Sequence, residues 1–243
     1  SRVATPHTEG EDAVVFETDE DQTLLPINLT TALYLRKVGG ATQYQNITSK
    51  LVGAPLSGAP LEIPAGQSIT ISLGFDAAST DPIHLRFRFS KPVQKNDVQI
   101  FWLYSHGNSV SVIPGVHDGT DSLQKDGRVS FTVPATWTGQ NPQTDWSPLV
   151  VADTVTDQVD QPLFWVSLLI SNLLPTTLQL GIGHILFNSV PATHALTVPQ
   201  PLIVPQPDPE LLGVSDGAAF QFFELQHRPL FKRPAAPDRK STR

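Results

Sequence analysis

The sequence predicts an all-β protein whose main part is an antiparallel β-sandwich. Three observations indicate this fold class. Short segments alternate between apolar and polar residues, as half-buried strands do. Turn-forming residues separate these segments. Proline accounts for 22 of the 243 residues, which is about 9% against a typical value of about 5% and disfavours long helices.

Seven segments are predicted to be strands. In one of them Ile83, Leu85 and Phe87 share a face and alternate with polar residues. Residues 98–104 are apolar on both faces, which is typical of a central strand in a packed sandwich. The complete set comprises residues 69–75, 83–89, 98–104, 129–133, 163–171, 178–188 and 219–225.

Residues 163–174 are ambiguous, because twelve mostly apolar residues also suit a buried helix. The aromatic and β-branched residues Phe164, Trp165 and Ile170 favour a strand, and Pro162 and Pro175 bound the segment.

Glycine and proline mark the connections between strands. Gly39-Gly40, Asp118-Gly119, Asp126-Gly127 and Asp216-Gly217 are typical of turns. Residues 199–209 contain five prolines and predict a stiff, extended connector.

Composition excludes several classes of function. The chain has no cysteine, which excludes disulfides, thiolate metal sites and cysteine nucleophiles. It has no methionine, position 1 included, so we expect it to be part of a longer protein. No apolar stretch of about 18 residues occurs, so no membrane span is predicted. The net charge of -7 argues against nucleic acid as a partner.

Charge is concentrated at the two ends of the chain. Residues 1–25 contain one base and seven acids (1 − 7 = −6), whereas residues 228–243 contain six bases and one acid (6 − 1 = +5). The basic tail is a candidate contact with a partner, although a solvated terminus has the same composition. Its basic residues are Arg228, Lys232, Arg233, Arg239, Lys240 and Arg243.

No clear catalytic or metal-binding motif is predicted. The seven histidines include no His-x-x-x-His pair that would aim two ligands at one metal. Phosphate-binding and dinucleotide-binding glycine patterns are missing. Two acidic loops, residues 118–126 and 153–160, lack the ligand spacing of a calcium loop and are predicted to be solvated turns. We therefore expect no catalytic, metal or cofactor site.

Aromatic residues suggest one further kind of site. Trp102 and Trp165 lie in predicted strands and are expected to pack in the core. Trp137 and Trp146 lie in a polar, proline-rich loop, so we expect exposed rings there that are candidates to stack on a sugar.

Several motifs along the chain resemble one protein family. Arg2-Val-Ala-Thr-Pro6 and Val15-Phe-Glu-Thr18 are similar to the "R-V-A-T-P … V-F-E-T" segment of baseplate assembly proteins, the baseplate J-like wedge proteins of contractile tails. Asn188-Ser-Val-Pro-Ala192 resembles the family's "N-T-V-P-A". The segment from Leu212-Gly-Val-Ser-Asp-Gly217 to His227-Arg-Pro-Leu230 resembles its ending. Segments in the middle of the chain, including Gly127-Arg-Val-Ser-Phe131, also resemble motifs of this family and occur in the family's order.

The resemblance implies an architecture. Residues 1–40 and 191–243 would belong to a mostly β, partial J-like frame domain, the second segment carrying the proline-rich connector and the basic tail. Residues 41–190 would form an inserted β-sandwich. A compact domain can be inserted into another one because its two termini often lie close together.

The resemblance also implies a function without bond chemistry. Such a protein is made in the bacterial cytoplasm and joins the baseplate of a phage tail or tail-like injection particle. Its partners would be copies of itself, other wedge subunits and the hub, spike and sheath proteins. A glycan-binding or cell-surface-binding module, using Trp137 and Trp146, is the alternative. A hydrolase is a third hypothesis, and it would need carboxylates converging in a pocket.

Overall fold

The computed structural model describes residues 2–4, 15–19, 22–51, 61–94, 96–146 and 150–194. The chain divides into two compact units, one comprising Ser1–Gln22 and Val190–Arg243 and the other comprising Thr23–Ser189. The larger unit is therefore one continuous stretch of sequence, and the two segments of the smaller unit precede and follow it along the chain. The predicted strand at 219–225, the connector at 199–209 and the basic tail lie outside the described residues.

Strands make up nearly all of the regular secondary structure in the described residues, which confirms the all-β prediction. One helical turn, α1 (Thr48–Leu51), and one 3-10 turn (Val155–Asp157) interrupt the strands. In chain order the strands are β1 (Arg2–Ala4), β2 (Val15–Thr18), β3 (Leu29–Val38), β4 (Ala41–Asn46), β5 (Leu61–Ile63), β6 (Ser68–Phe75), β7 (Ile83–Lys91), β8 (Val98–His106), β9 (Ser109–Val112), β10 (His117–Asp118), β11 (Gly127–Phe131), β12 (Gly139–Gln140), β13 (Val150–Ala152), β14 (Leu163–Asn172), β15 (Leu178–Phe187) and β16 (Ala192–His194).

The smaller unit contains a three-stranded antiparallel sheet of order β1-β2-β16. Strand β2 pairs with β1 on one side and with β16 on the other, so strands from both segments of this unit meet in one sheet.

The larger unit contains two sheets. The first has the order β13-β4-β3-β6-β14-β8-β9, with β12 added to β14, and we call it the large sheet. The second has the order β10-β11-β7-β15-β5. The ambiguous segment at 163–174 forms strand β14, which pairs with both β6 and β8. The prediction of a strand there is confirmed.

The main core lies between the inner faces of these two sheets. Its residues alternate along the strands, as the apolar periodicity predicts. Trp102 of β8 packs edge-on against Phe87 of β7, with ring centroids 5.9 Å apart, and its ring lies 5.5 Å from that of Phe131 in β11. Contacts of this kind join the sheets into the predicted sandwich.

Two hairpin turns follow from glycine. Gly39 and Gly40 both adopt positive φ, 58° and 89°, and connect β3 to β4 in the two-residue turn that suits the twist of a hairpin. Gly107, with φ of 55°, begins the two-residue turn between β8 and β9.

Two details differ from the sequence-based predictions. Strand β3 pairs with β6 in the large sheet, so the larger unit begins at Thr23 rather than near residue 41. Residues 98–104 were predicted to be buried on both faces, and that prediction is wrong on one face. Strand β8 lies next to the edge strand β9, and Phe101 on its outer face is 40% exposed.

The entry into β3 is held by a carboxylate. Asn28 donates its backbone N–H and its side-chain amide to Asp76, at 2.8 and 2.7 Å. These donors, the backbone one first, lower the pKa of the Asp76 carboxyl below its usual value. Because the folded pKa lies below the unfolded one, the interaction stabilises the fold above the unfolded pKa. This contribution is lost as the pH falls through the folded pKa.

We therefore expect Asp76→Asn to reduce the acid sensitivity of the fold. The free energy of unfolding of the unmodified protein falls below about pH 4, and the fall should be smaller in the variant because the charge-dependent term is gone. Urea unfolding at a series of pH values measures this. Asp81→Asn, which changes an exposed carboxylate of the same β6–β7 connection, is the control. Parallel pH profiles for Asp76→Asn and the unmodified protein would contradict the expectation.

Candidate functional site

The outer face of the large sheet has no charged side chain across four adjacent strands. Strands β6, β14, β8 and β9 contain no Lys, Arg, Asp or Glu at any position. Between Asp97 and Asp118 the chain has none either. Sheet faces that meet water normally carry charged or strongly polar side chains, and loss of charge is the mark of interface cores. This face is therefore the candidate functional surface.

The apolar side chains of this face form a connected set. Phe101 lies opposite Leu169 of β14, and Leu103, two residues further along β8, lies opposite Val112 of β9. Paired residues of adjacent strands project from the same side of a sheet, so these side chains and Val110 are neighbours. Val110 and Val112 are 52% and 61% exposed. We call this set, namely Phe101, Leu103, Val110, Val112 and Leu169, the open patch.

Hydroxyl groups fill the positions between the apolar ones. Ser72 of β6 and Ser167 of β14 are directly opposite and hydrogen-bonded at 2.7 Å, and Ser68 and Ser171 repeat the arrangement at 2.8 Å. Such pairs satisfy their own polar groups across the strands, so the face does not depend on water to do so.

The remainder of the outer face is covered by residues 139–146 and 150–162, which we call the covering segment. Under it lies a second core made by Leu33, Tyr44, Val159, Leu163 and Trp165. The Trp165 indole donates to the Gln140 carbonyl at 2.8 Å, which fixes the segment to the sheet.

Polar contacts fasten the covering segment at two places. Gln140 donates from its side-chain amide to the carbonyls of Gly107 and Ser109, at 2.7 and 3.0 Å, so its first end is tied to the β8–β9 turn. Further along, Arg36 of β3 forms an ion pair with Asp153 at 2.6 Å. The cover therefore ends beside the hairpin and leaves the open patch exposed.

The two predicted ligand-facing tryptophans are positioned differently from each other. Trp137 is 5% exposed, and its indole donates to the Trp165 carbonyl at 3.0 Å. The expectation of an exposed ring is wrong there, because the loop folds back over the core against Phe75 and Phe164.

Trp146 is half-buried in the covering segment. Its ring packs 5.0 Å from that of Trp165, and its indole donates to the Gln140 side chain at 2.8 Å. The rings of Trp137 and Trp146 therefore do not form the shared, open platform that stacking on a sugar requires. The basic residues of the predicted tail, Arg228 to Arg243, lie outside the described residues.

The acidic loops act in the structure as turns. The Asp118 carboxylate accepts from the backbone N–H and hydroxyl of Thr120, at 2.8 and 2.6 Å, and from the N–H of Ser122 at 2.9 Å. It thereby holds residues 121–123, which all have left-handed φ. In the second loop, Asp157 accepts from the N–H of Asn46 at 2.8 Å. Within the described ranges no three acidic or histidine side chains are placed to share a metal ion.

No imidazole group lines the open groove beside β5 and β7 that the described residues form. This groove of about 540 Å³ is lined by nine residues, among them Glu62, Lys91 and Asp97, and none of the nine is a histidine or serine. His84 contacts Ser130 at 2.9 Å across two strands, and His106 contacts Ser111 at 3.1 Å in the β8–β9 hairpin. Both pairs lie on strands of the sheets, away from the groove.

One catalytic-type spacing in the sequence falls outside the described residues. Gly213-Val-Ser-Asp-Gly217 has the Gly-x-Ser-x-Gly pattern of a hydrolase nucleophile turn. That role depends on a strand–turn–helix context and a nearby imidazole. The same residues belong to the segment that resembles the ending of baseplate proteins.

No protein-family model matches this sequence, and no curated protein matches it either. No helix in the described part of the chain is long and apolar enough to cross a membrane.

Close packing under the covering segment leads to a prediction for Gly74. A methyl group there would lie 2.8 Å from Leu163 Cδ1 and 2.9 Å from Trp165 Cζ3, so both side chains would have to move. We expect Gly74→Ala to lower the free energy of unfolding by about 1–3 kcal/mol. Gly139→Ala, whose nearest neighbours lie at 3.8 Å, is the control and should change it little. Denaturant unfolding measures both, and equal values for the two variants would contradict the packing.

The open patch leads to a prediction about stability. Phe101 is 40% exposed while the adjacent Trp102 is 5% exposed. We expect Phe101→Thr, which keeps a good strand former, to change the free energy of unfolding by less than about 1 kcal/mol. Trp102→Ala should cost about 3–5 kcal/mol. Thermal or urea unfolding of the two variants distinguishes these outcomes. A large loss for Phe101→Thr would mean that this ring serves the fold rather than a partner.

Proposed function

We propose that this chain is a structural, non-enzymatic subunit of the baseplate of a contractile tail or tail-like injection particle, and that it acts through contacts with neighbouring subunits. The observation that carries the proposal is the open patch. It places apolar side chains on an uncharged sheet face beside an edge strand, where a subunit contact is the simplest use of them.

The motifs in their order along the chain support the choice of particle. The opening Arg2-Val-Ala-Thr-Pro6 and the segment at 188–192 resemble those of baseplate J-like wedge proteins. In the structure, parts of these two segments lie in one sheet of the smaller unit, in strands β1 and β16. A sheet built from strands on both sides of the larger unit in the sequence is compatible with such a protein.

A subunit with this role needs no reacting centre, and the described residues suit it. Their acidic side chains serve turns and ion pairs, as with Asp118 and Asp153. Their tryptophan rings pack against other aromatic rings, as Trp146 does against Trp165 and Trp102 against Phe131. The glycan-binding alternative loses its main support, because Trp137 is buried.

The test is to purify contractile particles from cells that produce the full-length protein. We expect mass spectrometry of detached baseplates to find the protein there, and a variant lacking residues 232–243 to enter particles less well. The reason for the second expectation is the +5 charge of residues 228–243, which suits an acidic neighbour.

The two parts of this experiment have separate meanings. Particles that assemble and contract normally without the protein, with none of it in the baseplate, would overturn the proposed function. Normal incorporation of the truncated variant would reject only the basic tail as a contact. A variant lacking the last two residues, 242–243, retains five of the six tail bases and is the matched control.

A further inference from the structure

Strand β9 is the last strand of the large sheet on the side of the open patch. Within the described residues no strand pairs with its outer edge. Three of its four residues, Ser109, Val110 and Val112, are exposed. An exposed edge offers a row of backbone donors and acceptors to another strand.

The hydrogen-bond pattern identifies which groups face outwards. The N–H of Ile113 donates to the Trp102 carbonyl at 2.9 Å, so residues 102 and 113 form a hydrogen-bonded pair. Such pairs alternate with non-hydrogen-bonded ones in an antiparallel ladder. The pairs Leu103–Val112 and Ser105–Val110 are therefore of the second kind. As a result, the N–H and C=O groups of Val110 and Val112 point away from β8.

This edge lacks the usual protection against pairing. Natural edge strands carry charged residues, proline or bulges. Strand β9 has the sequence Ser-Val-Ser-Val, and its register with β8 is continuous over all four residues. No charged residue occurs between Asp97 and Asp118. The edge is thus shaped to accept a strand.

We propose that the strand which pairs with β9 is β9 of a second copy of this chain, in an antiparallel arrangement about a two-fold axis. This inference rests on the proposed structural role, since it names the partner and the surface of one subunit contact. The large sheets of two copies would then join into one continuous sheet.

Charge favours a second copy as the occupant. A two-fold contact brings each surface against itself, so any charged edge would meet its own sign. No charged residue lies between Asp97 and Asp118, so two copies of β9 can meet without this repulsion. The neutral edge offers no charge that would select a different partner, whereas its apolar side chains match their own copies.

Geometry specifies the register. When Val110 of one copy lies opposite Val112 of the other, the outward backbone groups of both residues are all paired. Ser111 then lies on the axis opposite its own copy, as a non-hydrogen-bonded pair with Cα atoms about 4.5 Å apart. That distance is within the range a disulfide can bridge. The two copies of Ser109 lie about 14 Å apart, because each residue advances about 3.4 Å along a strand.

The chain has no cysteine, so a single introduced cysteine reports on this register without interference. In the full chain, we expect Ser111→Cys to form a disulfide-linked dimer under mild oxidation and Ser109→Cys to remain unlinked. Non-reducing electrophoresis measures this. A Ser111→Cys protein that links no faster than Ser109→Cys would overturn the proposal.

A second measurement does not depend on cross-linking. We expect the unmodified chain to reach twice the monomer mass by sedimentation equilibrium as its concentration rises. Val112→Lys should lower the association constant about tenfold or more, because it places two ammonium groups across the axis. Val155→Lys, at a valine that is 80% exposed on the covering segment, is the control and should associate normally. Circular dichroism verifies that both variants are folded.

Failure of this inference is distinct from failure of the proposed function. An unmodified chain that stays monomeric, or Val112→Lys that associates as well as Val155→Lys, would overturn the β9 contact. Detection of the protein in baseplates would be unaffected by either result.

Discussion

The structure depends on one constraint, which is that the large sheet is uncharged on both faces near its centre. Strand β14 has apolar or hydroxyl side chains on both sides from Leu163 to Ser171 and pairs with β6 and β8. The second sheet covers the inner face. The outer face needs another cover, because burying apolar area contributes about 25 cal/mol per Å² and leaving it in water forfeits that term. The covering segment supplies this cover only in part.

The covering segment is anchored in a way that explains where it ends. Trp165 lies at the centre of the second core, and Gln140 links that core to the β8–β9 turn. The carbonyl of Gln140 accepts from Trp165 in the second core, and its side-chain amide donates to Gly107 in the β8–β9 turn. The covering segment therefore has a defined boundary at the β8–β9 hairpin. Beyond this boundary lies the open patch, where Phe101 and Val112 remain in water.

An edge strand and an uncovered face at the same place have a combined consequence. The edge supplies backbone hydrogen bonds, and the face supplies apolar area on both sides of the same axis. A structural role uses both together, since hydrogen bonds set the register while burial provides the free energy. This combination distinguishes the surface from an exposed residue such as Val155, which lies in a 3-10 turn and not on an edge strand.

The sequence by itself determined the fold class, six of the sixteen described strands (β6, β7, β8, β11, β14 and β15) and the turn at Gly39-Gly40, because alternation and the glycine pair act locally. Only the tertiary structure decided which faces are covered. Trp137 was expected to be exposed and is buried, whereas Phe101 was expected to be buried and is exposed. Burial depends on strand order and on the path of the covering segment, and these are set by contacts between segments far apart in the chain.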